Sequence, residues 1–333
     1  MTFKYFKMKQ IIILATPNSN LGSIDNPRRA FLSVNHYLAE KKMDPLFKVQ
    51  IAGSSNEIKV SNGTYTIHTD ILLKEVNSAD LIIIPALEGD ISQAVEMNAD
   101  LVPWLINQYK RGAELASLCV GAFLLAATGL LDGKSCSTHW RAANEFKKLH
   151  PDVNLVTEKI ITDENGIYTS GGAFSSANLV LYLIGKYAGR EIAIHCSKNF
   201  QVDLDRQSQS PFIIFKGQKD HKDEYIKQAQ EFIEENVQEK ISVEKLANFL
   251  SIGRRNLERR FKKATSNSII EYMQRVKVEA AKYRFETSGD NVNEVMYNVG
   301  YTDAKAFRNT FKRFTGLSPI SYRNRYNRTL ASV

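Results

Sequence analysis

The sequence predicts a three-layer α/β domain followed by an all-α domain that contains two helix–turn–helix units. The 333 residues are enough for two domains of ordinary size, about 100–200 residues each. Over the first two hundred residues, short apolar runs alternate with helical patterns, as in a parallel sheet covered on both faces. The last third is helical in its periodicity, contains an internal repeat and carries most of the excess positive charge.

The α/β part is predicted from buried strands and the helices between them. The strands are expected at residues 11–14, 47–51, 81–84 and 115–118. The helices are expected at residues 27–41, 98–111, 121–131, 140–149, 175–187 and 191–199. The turn sequence at 163–166 lies between two short apolar runs and predicts a hairpin.

The distribution of charge separates the two parts more sharply than the net charge of +8 does. Residues 1–218 have a net charge of +1, whereas residues 219–333 have +7. Within the second part, residues 219–250 are net −3 and the rest, from Ser251 onward, are net +10. A basic module joined to a nearly neutral one indicates a domain that binds a polyanion.

A change of composition marks the predicted junction. Residues 201–222 are polar and contain Pro211 and Gly217, which favour a linker. The predicted domains are therefore 1–200 and 223–330, with a linker at 201–222. The apolar island at 211–215 gives this linker a surface that can pack against one of the domains.

The basic third contains two copies of one pattern. Residues 260–265 recur fifty residues later as 310–315, and the apolar pair Leu257 and Phe261 corresponds to Phe307 and Phe311. A short helix and a tight turn precede each copy, which predicts helix–turn–helix units at 243–263 and 292–314. The second helix of such a unit enters the major groove of DNA, where all base pairs are distinguishable.

The stretch from Ser242 to Tyr326 resembles the AraC-type DNA-binding domain, most specifically at Phe311, Phe314, Gly316, Ser318, Pro319, Tyr322 and Arg323. The resemblance implies that a long helix over 269–285 joins the two units. It also implies that the two recognition helices address successive major grooves of double-stranded DNA, about 34 Å apart. Met296 departs from the family pattern, which often has alanine, so a wider helix crossing is expected in the second unit.

Two sets of residues are predicted to contact DNA. Arg255, Glu258, Arg259, Lys305, Arg308 and Asn309 occupy the outward positions that the family uses for base contacts. Arg254, Arg260, Lys262, Lys263, Lys312, Arg313 and Arg323 are candidates for phosphate contacts. Asp303 is the expected N-cap of the second recognition helix.

The first domain contains a cysteine at a predicted strand-to-helix corner. Cys119 follows an apolar run, and the small residues Ser117, Gly121 and Ala122 permit a sharp turn around it. A helix N-terminus stabilises a thiolate, so this position predicts an activated thiol. His139 follows twenty residues later, where the end of the next strand would bring it within reach.

Four segments of the first domain resemble the PfpI and type 1 glutamine amidotransferase-like family, which has a flavodoxin-like fold. They are LIIIPALEGD, LCVGAFLLAATGLLDGK, STHWRAA and TSGGAFSSANLVLYLI. The whole chain resembles GlxA-type regulators of the AraC family, whose N-terminal modules are regarded as sensors. The resemblance implies a DNA-binding transcription regulator that binds a small-molecule effector and forms a homodimer.

Catalysis by the first domain needs a group that orients the histidine. Asp25 and Glu88 are the acidic candidates. Ala86 and Leu87 replace the family's two glycines, and Val120 stands where hydrolytic members have histidine. We therefore expect a catalytically inactive sensor; a cysteine-dependent hydrolase or amidase fused to a DNA-binding domain is the alternative, and non-specific DNA binding is a third.

Composition excludes several other classes. Three cysteines cannot form a disulfide framework, so a cytoplasmic location is expected, with Cys136 and Cys196 as small buried residues. The longest uncharged stretch, residues 115–131, is short for a membrane span, and no membrane association is expected. No metal site or cofactor is predicted, because the His195–Cys196 pair does not share a helix face and has no second cluster.

Overall fold

A computed structural model describes residues 7–327. Residues 1–6 and 328–333 lie outside this range, and with them the last three positions of the predicted second domain. The chain divides into two compact units between Gln209 and Ser210, inside the predicted linker. Each unit is described by itself.

The first unit is built on a seven-stranded sheet with the strand order β10-β11-β7-β6-β1-β2-β5. All neighbours are parallel except the pair β10 and β11, which forms the predicted antiparallel hairpin. The strands of this sheet are β1 Lys9–Leu14, β2 Phe47–Gly53, β5 Ile71–Leu72, β6 Leu81–Ile84, β7 Glu114–Ser117, β10 Ile161–Glu164 and β11 Ile167–Ser170. Two small two-stranded sheets pair β3 Glu57–Val60 with β4 Tyr65–His68, and β8 Ser135–Cys136 with β9 Asn154–Leu155.

Helices cover both faces of this sheet. Ile11 and Ile13 of β1 point into one apolar core, and Ile12 and Leu14 point into the other, because successive side chains of a strand face opposite sides. The first core is closed by α1 Leu21–Glu40, α6 Ser176–Ala188 and α7 Arg190–Phe200. The second is closed by α2 Ile91–Met97, α3 Leu101–Lys110, α4 Ala122–Ala126 and α5 Ala143–Leu149. The predicted three-layer α/β class is confirmed.

Three predicted helix boundaries are wrong. Helix α1 begins at Leu21 rather than at Pro27, because the Asn20 side chain caps it by accepting from the Ser23 N–H at 3.1 Å. The predicted helix 98–111 is α3, which starts three residues later, at Leu101, and α2, Ile91–Met97, precedes it without having been predicted. The predicted helix 121–131 ends at Ala126, and Gly129 beyond it has a left-handed φ of 73°.

The second unit is all-helical and has two apolar cores that share one long helix, α11 Ile269–Thr287. Its other helices are α8 Glu224–Glu235, α9 Val243–Phe249, α10 Arg254–Thr265, α12 Val292–Asn298, α13 Ala304–Thr315 and α14 Pro319–Tyr326. The first core joins α8, α9 and α10 to the start of α11, and the second joins α12, α13 and α14 to its end.

The sequence repeat is also a structural repeat. In the turn of each helix–turn–helix unit, a backbone N–H returns to the preceding helix: Ile252 donates to the Ala247 carbonyl, and Tyr301 to the Met296 carbonyl. Each recognition helix ends on a left-handed residue, Ser266 or Gly316. The two units are therefore copies in their backbone as well as in their sequence.

Helices of membrane-spanning length and hydropathy are absent from residues 7–327.

Candidate functional site

Cys119 occupies a strained corner at the carboxyl end of β7. Its φ is +55°, a left-handed value that costs a non-glycine residue roughly 1–2 kcal/mol. The following turn approaches the end of β6 so closely that a Cβ on Gly121 would lie 2.9 Å from the Ile84 carbonyl oxygen. The predicted elbow is present, and Gly121 is the small residue that it requires.

Burial overrides the predicted activation of the Cys119 thiol. Desolvation raises the pKa of Cys119, while hydrogen bonds from the backbone N–H groups of Ala173 and Val120 lower it by less. The expectation of a stabilised thiolate is therefore wrong for this conformation, because the loss of water outweighs the local N–H dipoles. Ala173 is also left-handed, with φ +48°, so both the cysteine and one residue that donates to its sulfur have a strained backbone.

His139 lies beside this corner but is engaged elsewhere. Thr138 donates its hydroxyl to the Cys119 carbonyl oxygen at 2.9 Å, which brings the segment that carries His139 to the elbow. The Nδ1 atom of His139 accepts from the Arg141 N–H at 3.1 Å and caps a short 3-10 turn. In the neutral ring the proton is then on Nε2, so His139 presents a donor rather than a base. Burial, with a smaller contribution from Arg141, lowers the pKa of His139 and favours this neutral form.

Neither acidic candidate orients His139. Glu88 accepts from the Asn20 side-chain amide at 2.5 Å and thereby holds the loop after β1. Asp25 lies near the start of α1 and is partly exposed. Among residues 7–327, no hydrogen bond joins Cys119, His139, Asp25 and Glu88 to one another.

The wall of the elbow is made by a glycine pair and a buried glutamine. The His139 ring lies on Gly172, where an added Cβ would be 2.6 Å from the ring Cγ. Gln209 is 2% exposed and donates to the carbonyl oxygens of Thr138 at 2.9 Å and Thr157 at 2.6 Å, while its Oε1 accepts from the Gly172 N–H at 3.4 Å. Gln209 thus ties together the segments that lead to His139 and to Ala173.

The six predicted base-reading residues form two equivalent exposed sets. Leu257 and Phe261 of α10, like Phe307 and Phe311 of α13, are buried, as expected. The opposite face of α10 exposes Arg255, Glu258 and Arg259, and that of α13 exposes Lys305, Arg308 and Asn309. Asp303 caps α13 by accepting from the Lys305 and Ala306 N–H groups, so the N-cap prediction is confirmed.

The seven predicted phosphate-contacting residues differ in their partners. Arg254 pairs with Glu244 and Glu258, and Arg260 makes a bidentate pair with Asp223 at 2.6 and 2.9 Å. Lys262 donates to the Ser266 carbonyl, Arg313 to the Gln274 side chain and Arg323 to the Gly289 carbonyl. Lys263 and Lys312 are exposed and have no carboxylate partner among the described residues. Both lysines without a carboxylate partner therefore lie in the last turn of a recognition helix.

An open groove of about 910 Å³ borders the first recognition helix. Its lining joins Asn256, Arg259 and Lys263 of α10 to Lys222 and Tyr225 at the start of α8. No sequence pattern predicts a site at this part of α8. The acidic residue Asp223 lies here, but its pairing with Arg260 could not be predicted, because the two residues are 37 positions apart in the sequence.

The two cysteines outside the elbow are small buried residues, as expected. Cys136 and Cys196 are free and fully buried. The residues from 7 to 327 include no group of three or more histidine, cysteine or acidic side chains arranged to hold a metal ion.

The two units thus define a protein with an α/β domain that carries a cysteine elbow and a helical domain with paired helix–turn–helix units. Residues 37–185 match the DJ-1/PfpI family, and residues 246–325 match a helix-turn-helix domain. The chain therefore combines a DJ-1/PfpI-like domain with a helix-turn-helix domain.

Known regulators share this sequence pattern. The chain is 27% identical over 235 residues to the HTH-type transcriptional regulator GbdR of Pseudomonas aeruginosa, covering 69% of this chain and 63% of that one. It is 23% identical over 218 residues to the HTH-type transcriptional regulator GlxA of Rhizobium meliloti, covering 64% and 66%. The match thus spans slightly less than two thirds of the length of these relatives.

Solved structures share the fold of about three fifths of the chain. A THiJ/PfpI family protein from Pseudomonas syringae superposes with a TM-score of 0.51 at 16% identity, covering 61% of this chain and 78% of that one. An AraC family transcriptional regulator from Pseudomonas putida superposes with a TM-score of 0.50 at 15% identity, covering 58% and 99%.

Proposed function

We propose that this protein is a sequence-specific DNA-binding transcription regulator. The observation that carries the proposal is the pair of structurally equivalent recognition helices, α10 and α13, which bury the same apolar positions and expose polar side chains at the same offsets. Arg and Lys can pair with guanine, Asn with adenine and Glu with cytosine in the major groove. The net charge of +10 from Ser251 onward lies on the part of the chain that contains these helices.

The phosphate contacts belong to the same proposal. Lys262, Lys263 and Lys312 are exposed near the ends of the recognition helices, where lysines neutralise phosphates without reading sequence. Arg254 and Arg260 would have to give up their carboxylate partners in order to bind phosphates. Their net contribution to the affinity for DNA is therefore smaller than that of lysines without a carboxylate partner.

The first domain acts in this proposal as a non-catalytic effector-binding and dimerisation domain. The raised pKa of Cys119, the cap made by Nδ1 of His139 and the engagement of Glu88 with Asn20 all support binding rather than nucleophilic chemistry. A small-molecule effector would bind at the Cys119 elbow, and a homodimer would form through this domain. A regulator of this kind works in the cytoplasm, where its DNA is.

DNA binding is tested with the full chain and a random duplex pool. Wild-type protein is expected to enrich a defined sequence and to lose affinity steeply as salt rises. A variant with Arg255, Arg259, Lys305 and Arg308 changed to alanine should lose the enrichment. The matched control removes the same charge from the first domain, at Lys42, Lys110, Arg111 and Lys148, and should keep it. The proposal would be overturned if the wild-type protein bound no duplex at low salt.

The non-catalytic role of Cys119 is tested by thiol alkylation in a Cys136→Ser/Cys196→Ser background. Because burial raises the pKa of this thiol above its usual value near 9.0, iodoacetamide should react slowly at neutral pH and faster only in alkaline solution. Rapid alkylation at pH 6–7 would instead support the cysteine-dependent hydrolase.

A further inference from the structure

The junction between the two units is an ordered strap rather than a free linker. Residues 210–218, called the strap below, begin with a 3-10 turn, Ser210–Phe212, that lies against α13. Ser210 and Pro211 are buried, and Phe215 belongs to the border of the first helix–turn–helix core. The strap therefore belongs to the helical unit, and every strap contact described below lies within that unit.

Helix α11 holds the strap by its backbone. Lys282 is 4% exposed, although lysine is rarely buried, and its ammonium group donates to the Ile213 carbonyl oxygen at 2.6 Å and to Glu279 at 2.9 Å. The same Glu279 carboxylate accepts from the Phe215 N–H at 3.1 Å. An ion pair between a buried lysine and a partly exposed glutamate thus satisfies one carbonyl and one N–H of the strap, so it fixes the position of the strap independently of the strap's side chains.

Aromatic contacts connect the strap to both helix–turn–helix units. The Phe215 ring packs edge-on against Tyr272 at 5.1 Å, and Tyr272 packs in turn against Phe261 of α10. The Arg275 guanidinium lies 5.6 Å from the Phe215 ring and 4.8 Å from the ring of Phe314 in α13. One strap side chain is therefore linked to the recognition helices of both units.

Further contacts extend this arrangement to both ends of the strap. Arg325 of α14 lies 5.1 Å from the Phe212 ring. Gln230 of α8, which is fully buried, donates to the Gln218 carbonyl oxygen and to the Tyr272 hydroxyl, both at 3.0 Å. Gly217 has φ +70°, and a Cβ there would overlap the Tyr272 hydroxyl, so the chain turns at the one position that only glycine fits.

We propose that the strap sets the relative orientation of the two helix–turn–helix units and thereby lets them read DNA together. Lys282, Glu279 and Arg275 are positioning residues in this inference, since they hold the strap rather than contact DNA. The inference rests on the proposed function, because it concerns how the same surface reads DNA. The two helix–turn–helix units share helix α11, and they can enter successive major grooves together only if the angle between their recognition helices is fixed.

The strap is tested in the full chain with a duplex enriched by the wild-type protein and a scrambled duplex of equal length. Phe215→Ala and Lys282→Met should lower affinity for the enriched duplex by about tenfold or more, as losing one bidentate base contact does. Affinity for the scrambled duplex should be unchanged, because contacts to phosphates do not require both recognition helices to meet particular base pairs at the same time. The controls Ile214→Ala and Lys216→Met alter exposed neighbours and should keep both affinities.

The outcomes separate the two proposals. If wild type enriches no sequence, the proposed function fails. If wild type enriches a sequence but the strap variants bind it normally, the inference about the strap is overturned while the function stands.

Discussion

The turn of the second helix–turn–helix unit depends on Gly300. Its φ is +73°, and an added Cβ would overlap the Gln238 carbonyl group, lying 2.8 Å from the carbonyl carbon. We expect Gly300→Ala to destabilise the helical unit by about 2–5 kcal/mol, about 1–2 for a left-handed alanine and about 1–3 for the overlap. Both causes act on backbone, which cannot move aside as a flexible side chain can. Adding this one methyl group should therefore cost the second unit a large part of its stability.

The assay for Gly300→Ala is urea unfolding followed by two signals. Circular dichroism at 222 nm reports the helices of both units, whereas tryptophan fluorescence reports only the first unit, which contains Trp104 and Trp140. The helical transition should move by roughly 1 M urea or more, with the fluorescence transition unchanged. Gly289→Ala is the matched control, since no atom of residues 7–327 beyond its chain neighbours lies within 4 Å of its added Cβ. Equal midpoints for the two variants would refute the reasoning.

Two further predictions concern single positions. Gly121→Ala should lower the urea midpoint of the first unit, followed by tryptophan fluorescence, because its Cβ would lie 2.9 Å from the Ile84 carbonyl oxygen. Gly185→Ala is the control: among the described residues its Cβ would meet only the Ala193 methyl group, at 3.4 Å, so the midpoint should stay unchanged or rise. Asp223→Asn should destabilise the helical unit near neutral pH, because the hydrogen bonds from Arg260 lower the pKa of Asp223 below its usual 3.8. That stability is present above the unfolded pKa and is lost as pH falls through the folded pKa, so wild type and variant should converge in acid, while exposed Asp220→Asn should match wild type throughout.

The sequence predicted the helical unit better than the α/β unit, and the reason is local. The helix–turn–helix elements are fixed by short-range patterns, such as Leu257 with Phe261 and the Asp303 cap, so their boundaries were predicted to within about two residues. In the α/β unit, the start of α1 depends on the Asn20 side chain and the end of α4 on the turn at Gly129. Those boundaries depend on caps and turns that hydrophobic periodicity does not detect.

The chemistry of the cysteine site depended on burial, which no motif encodes. The elbow around Cys119 was predictable from its small residues, but the direction of the thiol pKa was not, because desolvation is a property of the assembled fold. Gln209 and Lys282 left no sequence signal, since their partners are backbone groups from distant segments. Long-range contacts to backbone are independent of the partner's residue type, so pattern analysis cannot find them.

The two helix–turn–helix units are tandem copies with different exposed residues, and this has a consequence for the DNA sequence they would read. Arg255, Glu258 and Arg259 of the first unit correspond to Lys305, Arg308 and Asn309 of the second. Two copies in one chain repeat in the same direction, unlike the subunits of a symmetric dimer, whose half-sites form a palindrome. One protein chain should therefore select two unlike half-sites in direct order.

Single substitutions assign each half-site to its unit. Arg259→Ala should relax selection at a guanine in one half-site, and Asn309→Ala at an adenine in the other, each by about 1–3 kcal/mol. Lys263→Ala, which removes an exposed charge with no carboxylate partner, should weaken binding to all sequences equally and reduce the salt dependence. Selection from a random duplex pool with each variant measures both effects. If Arg259→Ala and Asn309→Ala relax the same base pair, the units are not reading separate half-sites, and the tandem arrangement cannot be the basis of specificity.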